Sequence, residues 1–585
     1  MRRSFLLGST LVSVLALASS AHAETLYASP TGTATSACTT RENACDLASA
    51  GNIAQAGDTV ILLDGVYDGG LFVTNSGTAD AWITFKADDC ATPIIEGTGP
   101  APGADDQSGG VHSEEGSYLR FDGLVVRGFN IGFGNAWAGG VDSTDVSNGN
   151  WDIQNCISYS NGRTGFTFFS APNFTLRNSI SAHNGSSTAH SWSSGVTLFE
   201  STGTLLVERV VSFENMDAEE NTDGSGFIVD ENSSNALFRN NLAFRNGGSC
   251  LRMTRSSGTR FINNTCFHNA QNPAATGPTN PAELYFTNNG SPDPKTGVTF
   301  LNNALISTTN TTRSPTVVIN KPGNWSTSNY EARTEAANDL SALFTDPTGT
   351  NPNFSPPATS TNLVGKGTTG TDVPTDDLGL DPKCLVKRAP VMVGSVASGS
   401  WWQYDIDIDY IKSIGGVAKC FNPAARSGTP DVGAYKSGAI ATAPACVPSS
   451  GSGGAGGAGG STSTGGAVGA GGLGGSTSSG GTTATAGGAT SSGGTTATGS
   501  GGAVASGGSN AGGPGAGGAS NGGASSAATG GASAYPGSGG EVTESGCGCR
   551  VGTATAPSTQ ALGALGLIGA LAALVRRRRS RPERI

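Results

Sequence analysis

The sequence predicts an all-β fold of short strands wound into stacked coils. The first observation is a pattern that returns six times between residues 150 and 306. Its copies begin at Asn155, Asn178, Arg209, Asn240, Asn263 and Asn302, so the spacings are 23, 31, 31, 23 and 39 residues. The fullest copies read Asn155-Cys-Ile-Ser-Tyr-Ser-Asn161-Gly and Asn178-Ser-Ile-Ser-Ala-His-Asn184-Gly. The second observation is an alternating apolar run before each copy, such as Phe174-Thr-Leu-Arg and Arg260-Phe-Ile-Asn. The third is the Asn that opens most copies. Asn tolerates the left-handed backbone of a tight bend, and stacked amides bond along the stack. A period of this length means stacked repeats, each burying its inward residues only against the coils above and below. An antiparallel sandwich fits less well, because its hairpins rarely repeat one bend residue at one period.

This stretch resembles the right-handed parallel β-helix proteins, the fold of the pectate lyases. The resemblance implies a single-stranded, pectin-lyase-like coil over residues 118–320. Residues 24–117 then supply an N-terminal cap and the first coils, and residues 321–448 a closing segment.

Composition sets the limits of the foldable part. Gly is 90 of 585 residues, concentrated near the C-terminus, which leaves roughly residues 24 to 448 to build a core. Charged residues are 13% and the net charge is −11. Without a Lys/Arg-rich cluster before the tail, nucleic acid is not the expected partner. Arg2, Arg3, the apolar run Phe5 to Ala18 and Ala21-His22-Ala23 read as an export signal over residues 1–23, by the general route or the twin-arginine one. Export permits disulfides. Cys38/Cys45 and Cys384/Cys420 are plausible bridges, and Cys250 and Cys266 sit where neighbouring coils face each other. The spacings show no CxxC metal or redox pair.

Taken in order, Leu26-Tyr-Ala-Ser-Pro starts as a strand. Asp46 to Gln55 suits a short helix over the open end of the coil, where bare strand edges need cover. Gly57 to Gly70 reads as the first coil. Ala81-Trp-Ile-Thr-Phe-Lys and the run from Tyr118 continue the winding. After the six clear coils, Pro352-Asn-Phe-Ser-Pro-Pro and Gly428 to Tyr435 resemble closing segments that lie back along a β-helix. Trp401-Trp-Gln-Tyr is expected to be a covered edge more than a sugar-stacking patch. Residues 449–545 are almost entirely Gly, Ser, Thr and Ala, a disordered Gly/Ser-rich tether that spans roughly 50–60 Å. Residues 546–585 carry Cys547 and Cys549, an apolar run from Ala561 to Val575 and the Arg576–Arg579 cluster. They resemble the myxobacterial C-terminal sorting tail, which implies processing at Cys547 or Cys549 and attachment to the cell surface. A permanent hydrophobic membrane anchor is the alternative.

Insertions collect at one bend: Gly185 to Trp192, Met216 to Asp223 and Ala270 to Pro281. The coil starting at Asn240 lacks one, so a groove is expected over that bare coil. Loops on a rigid scaffold commonly carry binding residues. By strand alternation Leu251, Met253, Leu284 and Phe286 point inward. Arg252 and Tyr285 point outward, continuing a column of Thr167, Thr197 and Ile228. Arg245, Arg255, Asp230, His190 and Trp192 complete the expected substrate-binding set. Arg pairs with carboxylates bidentately, so this face suits an acidic polysaccharide.

Ser212 to Asn269 resembles, more narrowly, the calcium-dependent pectate lyases. Those enzymes hold calcium with an Asp cluster on one coil and abstract a proton with a Lys on the next. Here the cluster position reads Gly248-Ser249-Cys250-Leu251-Arg252 and the Lys position reads Tyr285. The catalytic match therefore fails, and no cofactor is required by it. Two readings remain. In one, Arg252 stands in for calcium and Tyr285 carries the proton of an eliminative lyase. In the other, Asp217, Glu219, Glu220 and Asp223 form a calcium loop. The chain is thus expected to be exported and attached at the cell surface, and to engage a polysaccharide, either as a lyase or as a non-catalytic glycan-binding or adhesin module.

Overall fold

Each turn of the chain makes three short strands separated by three bends, in a computed structural model that describes residues 23–98, 109–113, 116–135, 148–189, 192–272, 274, 282–287, 291–309, 316–388, 401–438, 440, 442 and 446. The export signal up to residue 22, His190, the Gly-rich tether and the tail with Cys547 and Cys549 lie outside the described residues. The first sheet runs through Thr25–Ala28, Thr59–Leu62, Ile83–Ala87, Leu119–Asp122 and Trp151–Gln154 to Thr299–Leu301. The second runs from Gly65–Asp68 through Ile157–Tyr159 and Leu242–Phe244 to Tyr330–Arg333. The third has nine strands, from Leu71–Phe72 to Val318–Ile319. Two long strands, Pro172–Ala182 and Thr202–Phe213, run on from the first sheet into the second and join them. Every ladder between coils is parallel, and all three sheets climb one coil at a time, as the repeat predicts.

The bend residues explain the repeated Asn. Asn155, Asn178, Arg209, Asn240, Asn263 and Asn302 all have φ between 47° and 57°, the left-handed region that Asn tolerates best among side-chain-bearing residues. The stacked amides predicted for them form mainly one position on and at the end of each copy. Asn241, Asn264, Asn303 and Asn329 bond in series at 2.8–3.1 Å. Asn161, Asn184, Asn215, Asn246 and Asn269 form a second buried series at 2.8–2.9 Å. Each such amide satisfies backbone and side-chain groups that the tight bend would otherwise leave unpaired inside the protein.

Alternation sets the register as expected. Leu251, Met253, Leu284, Phe286, Phe227 and Val229 pack in the core inside the coil, with Phe168 and Phe174 stacked at 3.7 Å. The second sheet departs from a polar outside. Its outward residues, including Ile157, Ile180, Phe213, Phe244 and Phe267, are apolar and build a second core. The closing segment covers them with Phe354, Leu378, Leu380, Tyr404, Ile411 and Tyr435. Trp401 and Trp402 are likewise covered, and Trp402 stacks on His183 at 4.6 Å. At the other end the helix Leu47–Ile53 seals the coil, its first turn capped by Asp46 accepting from the Ser49 N–H at 2.7 Å. Cys38–Cys45, Cys250–Cys266 and Cys384–Cys420 are bridged, as the spacings suggested. Cys90–Cys446, which the sequence did not suggest, ties the closing segment to the first coils.

Candidate functional site

The third sheet puts one outward residue per coil in register: His112, Gly134, Thr167, Thr197, Ile228, Arg252 and Tyr285. This is the expected column. Two residues further along each strand stands a parallel column of Phe169, Phe199 and Asp230. The same alternation that found Thr167 and Thr197 points to these residues, because side chains two apart share a face.

Thr167, Thr197 and Ile228 of the first column and Phe169, Phe199 and Asp230 of the second line a groove with Arg163, Thr164, Trp192 and Asp223. It is a slot of about 30 Å³ set in a wider depression of about 410 Å³. Phe169 and Phe199 lie on its floor with ring centroids 5.2 Å apart. Trp192 hydrogen-bonds the Glu220 carboxylate, which fixes one insertion against the next. Of the expected binding residues, Thr167, Thr197, Asp230 and Trp192 come together here. Arg163, Phe169 and Phe199 were not foreseen.

The groove does not lie over the bare coil. Loop 216–225 folds across that coil, and Asn221 in it accepts from Asn272 Nδ2 at 2.8 Å. Arg252 points outward as predicted, but it pairs with Asp223 and donates to the Thr222 carbonyl at 3.2 Å. Its side chain keeps 5% of its exposure. The guanidinium sits 5.9 Å from the centre of the half-buried Tyr285 ring. The expectation that Arg252 is open to hold a uronate is therefore corrected: its charge is already met by a carboxylate.

Arg245 is also corrected. It occupies the bend between the second and third sheets, where Glu214 accepts from its Nε at 3.1 Å and the Trp401 carbonyl accepts from its other end. It fastens the closing segment and does not reach the groove lining. Arg255 forms a 2.5 Å ion pair with Glu231 at the bend that leaves the third sheet.

The four acids of the expected calcium loop do not converge. Asp217 accepts from the N–H groups of Thr222 and Asp223 and so ties its own loop. Asp223 is taken by Arg252, and Glu220 by Trp192. Among the described residues no three His, Cys, Asp or Glu side chains are grouped as a metal site requires, Glu219 included.

Electrostatics set one groove residue apart. Burial pushes the Asp230 carboxyl up to about 7; the Arg252 charge opposes this, while Asp223 and Glu231 add to it. One oxygen, Oδ1, accepts from the Glu231 N–H at 2.9 Å. Burial likewise raises Asp217, reinforced by the nearby Asp223 charge.

Residues 109–321 match the family described as right handed beta helix region. No curated protein matches the chain in sequence. Among solved structures, pectate lyase Pel9A aligns over 60% of this chain and 93% of its own, with 18% identity and a TM-score of 0.43. An alginate lyase from Paenibacillus sp. aligns over 51% and 83%, with 14% identity and a TM-score of 0.32. A rhamnogalacturonan lyase aligns over 55% and 90%, with 15% identity and a TM-score of 0.36. Parallel ladders, amide stacks and the family match together identify the fold of this chain as a right-handed parallel β-helix.

Proposed function

We propose that the chain engages a polysaccharide laid along the outer face of the third sheet. The observation that carries this reading is the groove floor: Phe169 and Phe199 side by side, flanked by Thr167, Thr197, Trp192 and Asp230. Aromatic faces suit the apolar faces of sugar rings, and a few fixed polar groups orient the hydroxyls. The structurally similar lyases act, by their names, on pectate, alginate and rhamnogalacturonan, all of them polysaccharides. An acidic polymer remains within the proposal through Arg163, the one cation in the lining among the described residues.

A second reading, cleavage of the bound chain, is favoured by Asp230, whose carboxyl titrates near neutrality in the groove. Elimination by Arg252 and Tyr285 has less support, because Arg252 is roofed and neutralised. The test is binding of the full chain to immobilised acidic and neutral polysaccharides, with and without Phe199→Ala. Retention on none of them would remove the reading.

We also place the protein outside the cell, held at the surface by its tail. The four disulfides among the described residues fit an oxidising compartment. Changing Cys547 and Cys549 to Ala tests the tail. Release of the protein or a changed mass supports sorting, and unchanged display supports a plain membrane anchor.

A further inference from the structure

Two carboxylates face the groove in unlike settings. Asp223 is ion-paired to Arg252. Asp230 is 2% exposed; its Oδ1 takes the Glu231 N–H, and its Oδ2 takes no hydrogen bond among the described residues. Both line the slot beside Phe169 and Phe199. Asp230 thus has one oxygen anchored and the other free to meet whatever lies on the aromatic floor.

We propose that Asp230 and Asp223 are the acid and base of a glycoside-hydrolysing site. The proposal rests on the glycan reading above and adds the chemistry to it. The Asp223 charge is met by Arg252, and Asp230 enters the step protonated.

The step balances without a cofactor. Asp230 gives its proton to the glycosidic oxygen as the bond from that oxygen to the anomeric carbon breaks. The bonding electron pair stays on the oxygen, which leaves as a hydroxyl. A water oxygen forms the new bond to the anomeric carbon, and its proton passes to the Asp223 carboxylate. Two chains with ordinary hydroxyl ends result, and proton exchange with solvent restores both acids. Arg252 acts as a positioning residue by holding Asp223. A carboxyl kept near neutrality by burial is able to donate at physiological pH, and two acids in unlike settings mark the division of roles.

The test uses the full chain with polygalacturonate, alginate, arabinoxylan, galactan and a soluble β-glucan. Binding is read by affinity electrophoresis. Cleavage is read by new reducing ends and by the ultraviolet absorbance of unsaturated products. The expected result is new reducing ends without unsaturation on at least one polymer that binds. Asp230→Asn should lower turnover about a hundredfold or more with affinity kept. An aryl glycoside, whose leaving group needs no proton, should recover activity in Asp230→Asn and not in Asp223→Asn, which separates a lost proton from a lost fold. Binding without new reducing ends, or reducing ends matched by unsaturation, overturns the hydrolytic pair and leaves the glycan reading standing. Binding to none of the five overturns both.

Discussion

Glu283 takes the backbone and side-chain N–H groups of Asn269 on its two carboxylate oxygens, at 3.0 and 2.6 Å. It stands where the next Asn of the amide series would stand and so terminates it. The site is fully buried, and burial pushes the Glu283 carboxyl up to about 8, against the pull of the Asn269 donors. The folded state therefore binds this proton more tightly than the unfolded chain. Stability from this group is fully present below about 4.5 and is lost as pH rises through about 8. We expect the unfolding free energy to fall across that window by up to about 1.4 kcal/mol per pH unit from this group, and the unfolding temperature to fall with it. Glu283→Gln, which imitates the protonated form, should flatten that part of the profile. Calorimetry on both proteins across the window decides it, and an unchanged slope in the variant would sink the assignment.

Glu214 is the corresponding buried acid under the closing segment. It is wholly buried and accepts from Arg245 Nε, from the backbone N–H groups of Gln403 and Tyr404 at 2.7 and 3.1 Å, and contacts His183 Nε2 at 3.1 Å. Glu214→Ala strands a guanidinium and two N–H groups, which should cost roughly 3–5 kcal/mol. Because the two N–H groups belong to the closing segment, limited proteolysis should cut residues 401–406 earlier in the variant. Equal cutting rates would show that the apolar cover alone holds the segment.

The Cys90–Cys446 bridge spans 356 residues and Cys38–Cys45 spans seven. In the chain-entropy picture the first restrains the unfolded state by roughly 6 kcal/mol and the second by roughly 2 kcal/mol, less where other bridges already shorten the loop. Replacing Cys90 and Cys446 by Ala should therefore lower the unfolding temperature more than replacing Cys38 and Cys45. The reverse order, measured by thermal unfolding of the two double variants, would mean that native-state effects outweigh loop length.

The coil was legible because its cause is local and periodic. Each bend needs a left-handed residue, and the inward residues alternate, so Leu251 and Met253 could be oriented from sequence. The outward column Thr167, Thr197, Ile228, Arg252 and Tyr285 followed from the same rule. What covers that column did not follow. Whether Arg252 is open depends on how loop 216–225 folds, and Asp223 is 29 residues away in sequence. Arg245 looked like a binding residue for the same reason: its partner carbonyl on Trp401 is 156 residues distant. Phe169 and Phe199 were within reach, two residues beyond Thr167 and Thr197 on the same face.

The groove aromatics give a prediction independent of any chemistry. Phe199→Ala removes one of two adjoining rings while the strand ladder beneath it stays paired. A ring contact is worth roughly 0.5–1.5 kcal/mol beyond its buried area, so affinity for a bound glycan should fall about threefold to tenfold. Phe169→Ala should behave alike, and Phe72→Ala, on the first strand of the same sheet and outside the groove lining, should not. Affinity electrophoresis of the three variants checks it. A uniform response would indicate that the polymer does not lie on this floor.

Arg252 and Asp223 should behave as one unit. Their side chains retain 5% and 1% of their exposure, so removing either partner strands a buried charge at roughly 3–5 kcal/mol. Replacing both with apolar residues of similar size, Arg252→Met with Asp223→Leu, removes both desolvation costs. The double variant should then be less destabilised than the sum of the single variants by about 1 kcal/mol or more. The same cycle separates two accounts of Arg252. As a free anchor for a sugar carboxylate, Arg252→Met would weaken acidic polymers in particular and leave unfolding nearly unchanged. As the partner of Asp223, it should lower the unfolding temperature and loosen loop 216–225. Protection of that loop against hydrogen exchange is the direct readout, because Arg252 also holds the Thr222 carbonyl. Loss of protection confined to the loop, with weaker binding of neutral and acidic polymers alike, is the outcome expected from a roofed arginine.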